Sequence, residues 1–494
     1  MDSSSRNDYN EFSDSATYLL YKTDYTPQSS NNDLDGYDYQ GYHCRVYKRR
    51  WYILLIYCSV GFSNYISWNT WDPIQNTAKF VYGWNNGIIS LLADWGLLTL
   101  IVFPPFYAAL LKKKGLRRSE LVTIGCMFLG AFLRIIPWRM GPINTLMINV
   151  SQFCTGAGGI IPMAGASLLS ITWFPPSERR FATSLASGSQ QFGLALSFLL
   201  GPLLVEEPIS DSFNSSFLEF EAEETRVELR TQYRAEIQTY LRIQFALVAV
   251  LTACIIIYFP ARPPLPPSNL SISGRHFFGY SIRLIVKQRR FWILSFTYGF
   301  FSGLFNSYLA ILAVDLASNP HLQFSQYWSG WLGFATTIIG AATSVVVAAA
   351  ADLLRAYNPI KKLLLALLTT GFLAFGVFIL LAKGIVHIEL SSMEMRVLVY
   401  VLVIITGCAS ASTVPLIFEI GSDILYPIPE EVIGSMLVLV QNTCGLMFLM
   451  VMLVPGVGTN WLDYAVFGGM LASFPMIYLM DDKNRRISAE LLPN

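Results

Sequence analysis

Charge and histidine are what this sequence has least of. Only 14% of its 494 residues are Asp, Glu, Lys or Arg, and only four are histidine. His43, His276, His321 and His387 all fall in tails or connections, so none is placed to hold a buried metal or to form a buried acid–base pair. The seven cysteines form no CxxC pair, and only Cys44 lies clearly outside an apolar run; this excludes an exposed disulfide framework and a zinc site. A net charge of +1 supplies no concentrated basic face, which excludes nucleic acid as a partner. No cofactor motif is present, and an intramembrane enzyme ranks last among the function classes, because no histidine shares an apolar run with an acid.

Apolar residues are what it has most of. They make up 53% of the chain, and the mean hydropathy is +0.45, which marks a polytopic membrane protein. Runs of about 20 apolar residues suffice to cross a hydrocarbon core. Counting them predicts an all-α membrane protein with twelve spans, near 51–71, 87–110, 119–138, 143–172, 181–205, 239–258, 291–314, 327–351, 363–382, 396–420, 433–455 and 461–480. Lys and Arg gather at 45–50, 112–118, 178–180, 262–290, 355–362 and 483–486, which places both termini in the cytoplasm by the positive-inside rule.

On that topology residues 1–45 are a polar cytoplasmic tail, expected to be disordered and without a signal-peptide pattern. Residues 46–258 form an amino-terminal six-helix half. The linker 259–290 opens on the stiff Pro260-Ala261-Arg262-Pro263-Pro264-Leu265-Pro266-Pro267, and from Phe277 to Arg290 its apolar and basic residues alternate as in a helix lying on the membrane surface. Residues 291–480 form the second six-helix half, and 481–494 a second cytoplasmic tail. The largest lumenal loop is expected from Val205 to about Gln238, with a glycosylation sequon at Asn214-Ser215-Ser216.

The halves repeat each other. Arg49-Arg50-Trp51-Tyr52-Ile53-Leu54 recurs 240 residues later as Arg289-Arg290-Phe291-Trp292-Ile293-Leu294, and Phe174-Pro175-Pro176-Ser177-Glu178 is echoed by Tyr426-Pro427-Ile428-Pro429-Glu430. Two parallel six-helix repeats are the architecture of the major facilitator fold, with its site at the half interface near mid-membrane. The segments Trp68-Asn69-Thr70-Trp71 with Pro73-Ile74-Gln75-Asn76, Tyr258-Phe259-Pro260 with Arg262 to Ser268, and Val414-Pro415 with Phe418-Glu419 carry a closer likeness. On them the chain resembles solute carrier family 49 over about residues 46–480. The resemblance implies a lysosomal glycoprotein that moves pyridoxine in symport with protons; the family's other branch suggests a facilitator of choline or ethanolamine. A receptor or scaffold that keeps the fold without moving solute is the third reading.

The resemblance also implies cavity positions. Trp68, Gln152, Gln191 and the Gln441/Asn442 pair match positions that line the family's substrate cavity. Helix rise places Gln152, Gln190, Gln191, Gln441 and Asn442 about nine or ten residues into their spans, near the midplane. Asn69, Tyr298 and Asn306 lie at comparable or more lumenal depth, and with the others they complete the candidate substrate site. Tryptophan offers a face for a planar ring, and amides both donate and accept. The competing reading makes the tryptophan an interfacial anchor and the amides glue between helices.

Asp94, about seven residues into span 2, costs roughly 2.5–3.5 kcal/mol at a helix centre on insertion scales. Two readings stand for it: a structural hydrogen bond, or a carboxyl that couples transport to protons. Asp72 is expected at the lumenal interface, where an exposed acid is cheap, and Arg134 is expected to snorkel to that interface. Glu178, Arg179, Asp352, Arg355 and Glu419 sit at matching cytoplasmic ends and read as a charge cluster closing an inner gate. Tyr9-Asn10-Glu11-Phe12 fits a tyrosine sorting signal, so sorting adaptors join the small-molecule substrate, protons and the bilayer as candidate partners.

Overall fold

A computed structural model describes residues 45–136, 141–175, 177–208, 219–265, 278–318, 324–353, 360–385, 392–425, 430–454 and 458–478, with the isolated positions 38–39, 42–43, 267 and 428. Tyr9, Phe12, Asn214 and Arg355 lie outside the described residues, as does the side chain of Asp352.

Apart from a two-residue antiparallel pair, Asp38–Tyr39 with Tyr42–His43, the described chain is helical. In the amino-terminal half these helices are α1 (Arg50–Trp68), α2 (Gln75–Tyr82), α3 (Asn86–Val102), α4 (Pro104–Ile135), α5 (Pro142–Ala157), α6 (Ile160–Ala164), α7 (Ala166–Trp173), α8 (Arg179–Leu204) and α9 (Glu219–Ile257). After the linker helix α10 (Phe278–Lys287) come α11 (Arg289–Tyr298), a π turn over Gly299–Gly303, α12 (Leu304–Leu309), α13 (Leu312–Ser318), α14 (Gln326–Leu353), α15 (Ile360–Ala382), α16 (Ser392–Leu425), α17 (Glu430–Met450) and α18 (Leu462–Tyr478).

Among the described residues, five helices are long and apolar enough to cross a membrane, and seven if each of two bent pairs counts as one span. The other expected spans fall short for visible reasons. Both α1 and α8 carry Ser, Asn or Gln on an inner face, and the run from Arg289 to Ser318 is divided by the π turn and by a break at Ala310-Ile311. The polar stretch after Trp68 ends α1 and, beyond Pro73, starts the short α2. Gly83 closes α2 at φ +70, a left-handed position that favours glycine, and the Asn85 side chain caps α3 by accepting from the Ile88 N–H at 2.9 Å. Between them the chain bends by 119°. One expectation is corrected: much of the loop foreseen from Val205 to about Gln238 is helix, because α9 starts at Glu219. Glu, Ala, Arg and Gln dominate that stretch, and all are strong helix formers.

The halves meet at one end, here called the closed end. A single apolar core there joins Trp71, Ile74, Trp84 and Phe198 of the first half to Tyr308, Leu332, Met452 and Leu462 of the second. At the opposite end the first half closes a separate core around Tyr57, Ile161, Trp173 and Phe259, with no member from the second half. Close approach at the closed end needs glycine. A Cβ on Gly330 of α14 would stand 2.5 Å from the Phe198 carbonyl oxygen, and one on Gly87 of α3 would stand 3.1 Å from that of Met452.

Glu207 fastens this end. Its Oε1 accepts from Asn76 Nδ2 at 2.6 Å and its Oε2 from the Gln326 backbone N–H at 2.7 Å, so one carboxylate ties the α2 segment to the positive start of α14 in the other half. Replacing it, Glu207→Ala, should weaken the contact by about 1 kcal/mol, roughly a fivefold shift toward separated halves. In a background free of native cysteines, Ser329→Cys, buried at this end, should then label with maleimide correspondingly faster. An unchanged rate would show that Glu207 does not hold the end shut.

Candidate functional site

The site begins where α1 stops. The Trp68 indole lies across Gly96 of α3, where a Cβ would stand 2.1 Å from Nε1, and its N–H donates to the Ala93 carbonyl at 3.2 Å. Tyr65, one turn earlier, meets Trp68 edge-on at 5.7 Å. Tyr298 meets Phe418 edge-on at 6.2 Å. These four rings, one pair from each half, supply the aromatic surfaces, here called the aromatic wall, and include two expected site residues, Trp68 and Tyr298. Tyr65 carries no motif of its own; its signal is the i, i+3 spacing that puts it on the Trp68 face.

Asp94 lies on the same face of α3 as Gly87, two turns away, and Gly87 packs against Met452, just past the end of α17. Its carboxyl therefore looks toward the half interface. It is 3% exposed, and neither oxygen has a hydrogen-bond partner. Gln191 stands in the same relation to Phe198: seven residues earlier on α8, on the face that meets α14 at the closed end, and exposed. Its neighbour Gln190 is turned inward, donating to Pro162 and Ala186 carbonyls.

In the second half the polar side chains gather on Ser302, in the π turn. Asn306 Nδ2 approaches its Oγ at 3.2 Å, Gln441 Nε2 at 3.5 Å and Ser410 Oγ at 3.2 Å. Asn306 is exposed, and Gln441 and Asn442 are half-buried. A π turn shifts the helix face by one residue and recurs at functional sites. The signal for Ser302 was the glycine pair around it: a Cβ on Gly303 would stand 2.8 Å from the Gln441 carbonyl oxygen, and one on Gly299 2.6 Å from Cys444 Sγ.

Two expected cavity residues are placed otherwise. Asn69 donates to Ser197 Oγ at 2.8 Å, and Gln152, 1% exposed, donates to the Trp68 carbonyl at 2.8 Å and the Leu92 carbonyl at 3.2 Å while accepting from Arg134. Both side chains are spent inside the first half, behind the wall. Arg134 does not snorkel. It is 3% exposed, and its guanidinium donates to Ser151, Thr155, Thr70, Gln244, Gln152 and the Ser67 carbonyl, drawing together α1, α5 and α9. Enough acceptors converge there to replace water, which removes any reason to reach the interface. Asp72 is likewise buried rather than exposed, with Lys79 as the nearby charge.

Glu178 pairs with Arg50 at 2.9 Å, inside the first half, and Arg179 Nε donates to the Phe174 carbonyl at 3.2 Å. Glu419 is half-buried in α16.

The family model of the Major Facilitator Superfamily matches residues 53–452. The chain is 31% identical over 435 residues to "Solute carrier family 49 member 4 homolog" of Xenopus tropicalis, covering 88% of this chain and 91% of that protein. It belongs to solute carrier family 49 of the major facilitator superfamily. It is also 23% identical over 414 residues to the human "Choline/ethanolamine transporter FLVCR2", covering 82% and 71% of the two chains. Among solved structures, the chain superposes on a bacterial homolog of the human lysosomal transporter Spinster, inward-facing and occupied, with TM-score 0.60, 14% identity and coverage of 88% and 97%. The Escherichia coli fucose:proton symporter FucP gives 0.56 at 14% identity, covering 88% and 100%. These two likenesses show the fold. A family 49 chain is a multi-pass membrane transporter and not an enzyme.

In this transporter Arg134 supports Trp68 and the turn before Asp94 through Gln152. Arg134→Lys should destabilise the protein by about 3 kcal/mol or more, because a single ammonium cannot reproduce the fork and leaves buried acceptors unpaired. The thermal midpoint of the purified protein in detergent measures this, and a wild-type midpoint would refute the role.

Proposed function

We propose that this transporter carries pyridoxine, a planar ring with hydroxymethyl arms, in symport with protons across the lysosomal membrane. The observation that carries the reading is Asp94: a buried carboxyl without a partner, on the face of α3 that meets the other half, beside the wall formed by Trp68, Tyr65, Tyr298 and Phe418. An aromatic face suits the ring, and the amides of Gln191, Asn306, Gln441 and Asn442 suit its hydroxyls as donors and acceptors. Asn69 and Gln152 act behind them as supports. With both termini in the cytoplasm, the closed end is lumenal and the conformation faces inward, ready to release its load. The halves, bounded as 46–258 and 291–480, then rock about this site. Glu178, Arg179, Asp352, Arg355 and Glu419 belong to the opposite, cytoplasmic end, and Tyr9 and Phe12 supply the address.

In cells displaying the chain at the surface, uptake of labelled pyridoxine should rise as external pH falls, because the lumenal side loads the proton. Asp94→Asn should abolish that pH stimulation, and Trp68→Ala should lower uptake at least tenfold, the equivalent of about 1.4 kcal/mol of lost binding. Uptake indifferent to pH and to both substitutions would sink the mechanism and the site together. The second reading, a choline or ethanolamine carrier, draws on relatives named for those solutes; excess choline would then suppress uptake and excess pyridoxine would not.

Orientation has a separate check. Asn214 is lumenal on this topology, so Asn214→Gln should remove the size shift that an endoglycosidase removes from the unaltered protein. Retention of that shift would place the sugar elsewhere.

A further inference from the structure

Charge of one sign gathers at a place that the proposed site does not use. Five of the seven residues 112–118 are Lys or Arg, and the linker 259–290 adds six more; neither stretch holds an Asp or Glu. The fold brings the two stretches together. A cavity of about 210 Å³ is lined by Lys113, Lys114, Gly115 and Leu116 of α4, Thr172 of α7 and Arg262 of the linker, with three cations and no anion in its walls. Leu116 belongs to the separate core of the first half, so the cavity lies at the end opposite the closed one. Among the described residues, the side chains of Lys113, Lys114 and Arg262 have no ion pair or hydrogen bond. The acids nearest along the chain do not neutralise them: Glu120 is fully buried with neither oxygen hydrogen-bonded, and Glu178 is paired with Arg50.

The backbone adds to this field. Gly115, at φ +77, breaks α4, and the helix restarts at Leu116, so both residues at the break line the cavity. The first N–H groups of a helix find no carbonyl within it and carry the positive end of its dipole. An anion seated here would relieve the repulsion among three like charges and meet those donors.

Depth identifies the source of the anion. The span formed by α9 ends at Ile257, and α7, which closes a bent span, ends at Trp173, so the cavity sits where membrane-crossing elements stop. Tyr258 is exposed there and meets exposed Tyr52 of α1 at 5.8 Å, while Arg49 donates to the Tyr258 hydroxyl at 3.2 Å. Amphipathic rings of this kind settle among lipid headgroups. On α4, Phe106 and Ala109 lie seven and four residues before Lys113, hence on its face, and both are exposed. That stripe runs from apolar residues to a cation, the order of acyl chain and headgroup.

We propose that this cavity binds the phosphate monoester of an anionic lipid, with the headgroup held by Lys113, Lys114 and Arg262 and an acyl chain along the exposed face of α4. A phosphodiester carries one negative charge and a monoester approaches two near neutral pH, so the monoester is the better match for three cations. Basic pockets between membrane helices on the cytoplasmic side take headgroups of this class. The site does not depend on which solute is moved: a failure to carry pyridoxine would leave it standing, and its own failure would leave the transport reading standing.

The test is equilibrium binding of a short-chain phosphatidylinositol monophosphate to the purified full-length protein in detergent. Lys113→Gln and Arg262→Gln should each weaken binding about fivefold, the equivalent of about 1 kcal/mol per charge. Both side chains are exposed, so neither change threatens the fold. Lys287→Gln, which removes an exposed cation of α10 outside the cavity, should leave binding unchanged. Equal weakening by all three would overturn the pocket in favour of general attraction to a basic surface. Short-chain phosphatidylinositol, which has only the diester, should bind about tenfold more weakly, the equivalent of about 1.4 kcal/mol, and equal affinity would refute the monoester. The inositol bisphosphate headgroup alone separates the two sources of phosphate. Binding as tight as that of the lipid would make the ligand a soluble phosphate and overturn the lipid assignment.

Discussion

A guanidinium buried in a membrane protein with no carboxylate among its hydrogen-bond partners sets the form of the amino-terminal half. Arg134 carries its full charge into a place where water does not reach, and hydroxyls, amides and a carbonyl must replace its hydration shell. That requirement fixes its partners in turn. Gln152 can satisfy Arg134 only with its oxygen, which leaves both its N–H groups for the Trp68 and Leu92 carbonyls. The end of α1 and the turn of α3 just before Asp94 are therefore positioned by one amide that is itself positioned by one charge. The aromatic wall and the lone acid stand in front of this scaffold and inherit its geometry.

The contact between the halves follows a different rule. Glycine on α3 and α14 lets backbones approach where any side chain would collide, and Glu207 adds a charged clasp to the start of α14. Packing of this kind is short-range, so it is lost almost entirely once the halves part by a few ångströms. A closed end built from glycine contacts and one carboxylate can thus be firm while shut and still open as a unit. The separate core at the other end of the first half keeps that half whole when it does.

Where the helices run was legible in the sequence, but rotation about their axes was not. Apolar length located the five helices that, among the described residues, are long and apolar enough to cross a membrane, and alternation of apolar and basic residues located α10. The indole, amides and proline closing span 1 marked Trp68 before any contact was known. Gln190 and Gln191 show the limit: they share one depth, yet the first is bonded inward and the second is exposed, because neighbouring helices decide which way each faces. Gln152 and Arg134 differ from expectation for the same reason, since their partners come from helices distant in the chain. Lys383 and Asp463 left no signal, as charge at the end of a span is ordinary and only the fold brings the two together.

Hydrogen-bond satisfaction divides the polar residues into two groups with different duties. A side chain bonded wholly within one half meets the same partners whether the halves are together or apart, so Asn69, Gln152, Arg134 and Gln190 cost the same in every state of the cycle and cannot drive it. A group on the surface where the halves meet is satisfied differently in each state. Asp94 lacks any hydrogen-bond partner with this end shut, and Gln191 and Asn306 lie exposed. Only such groups can exchange a protein contact for water, a proton or a solute as the halves move.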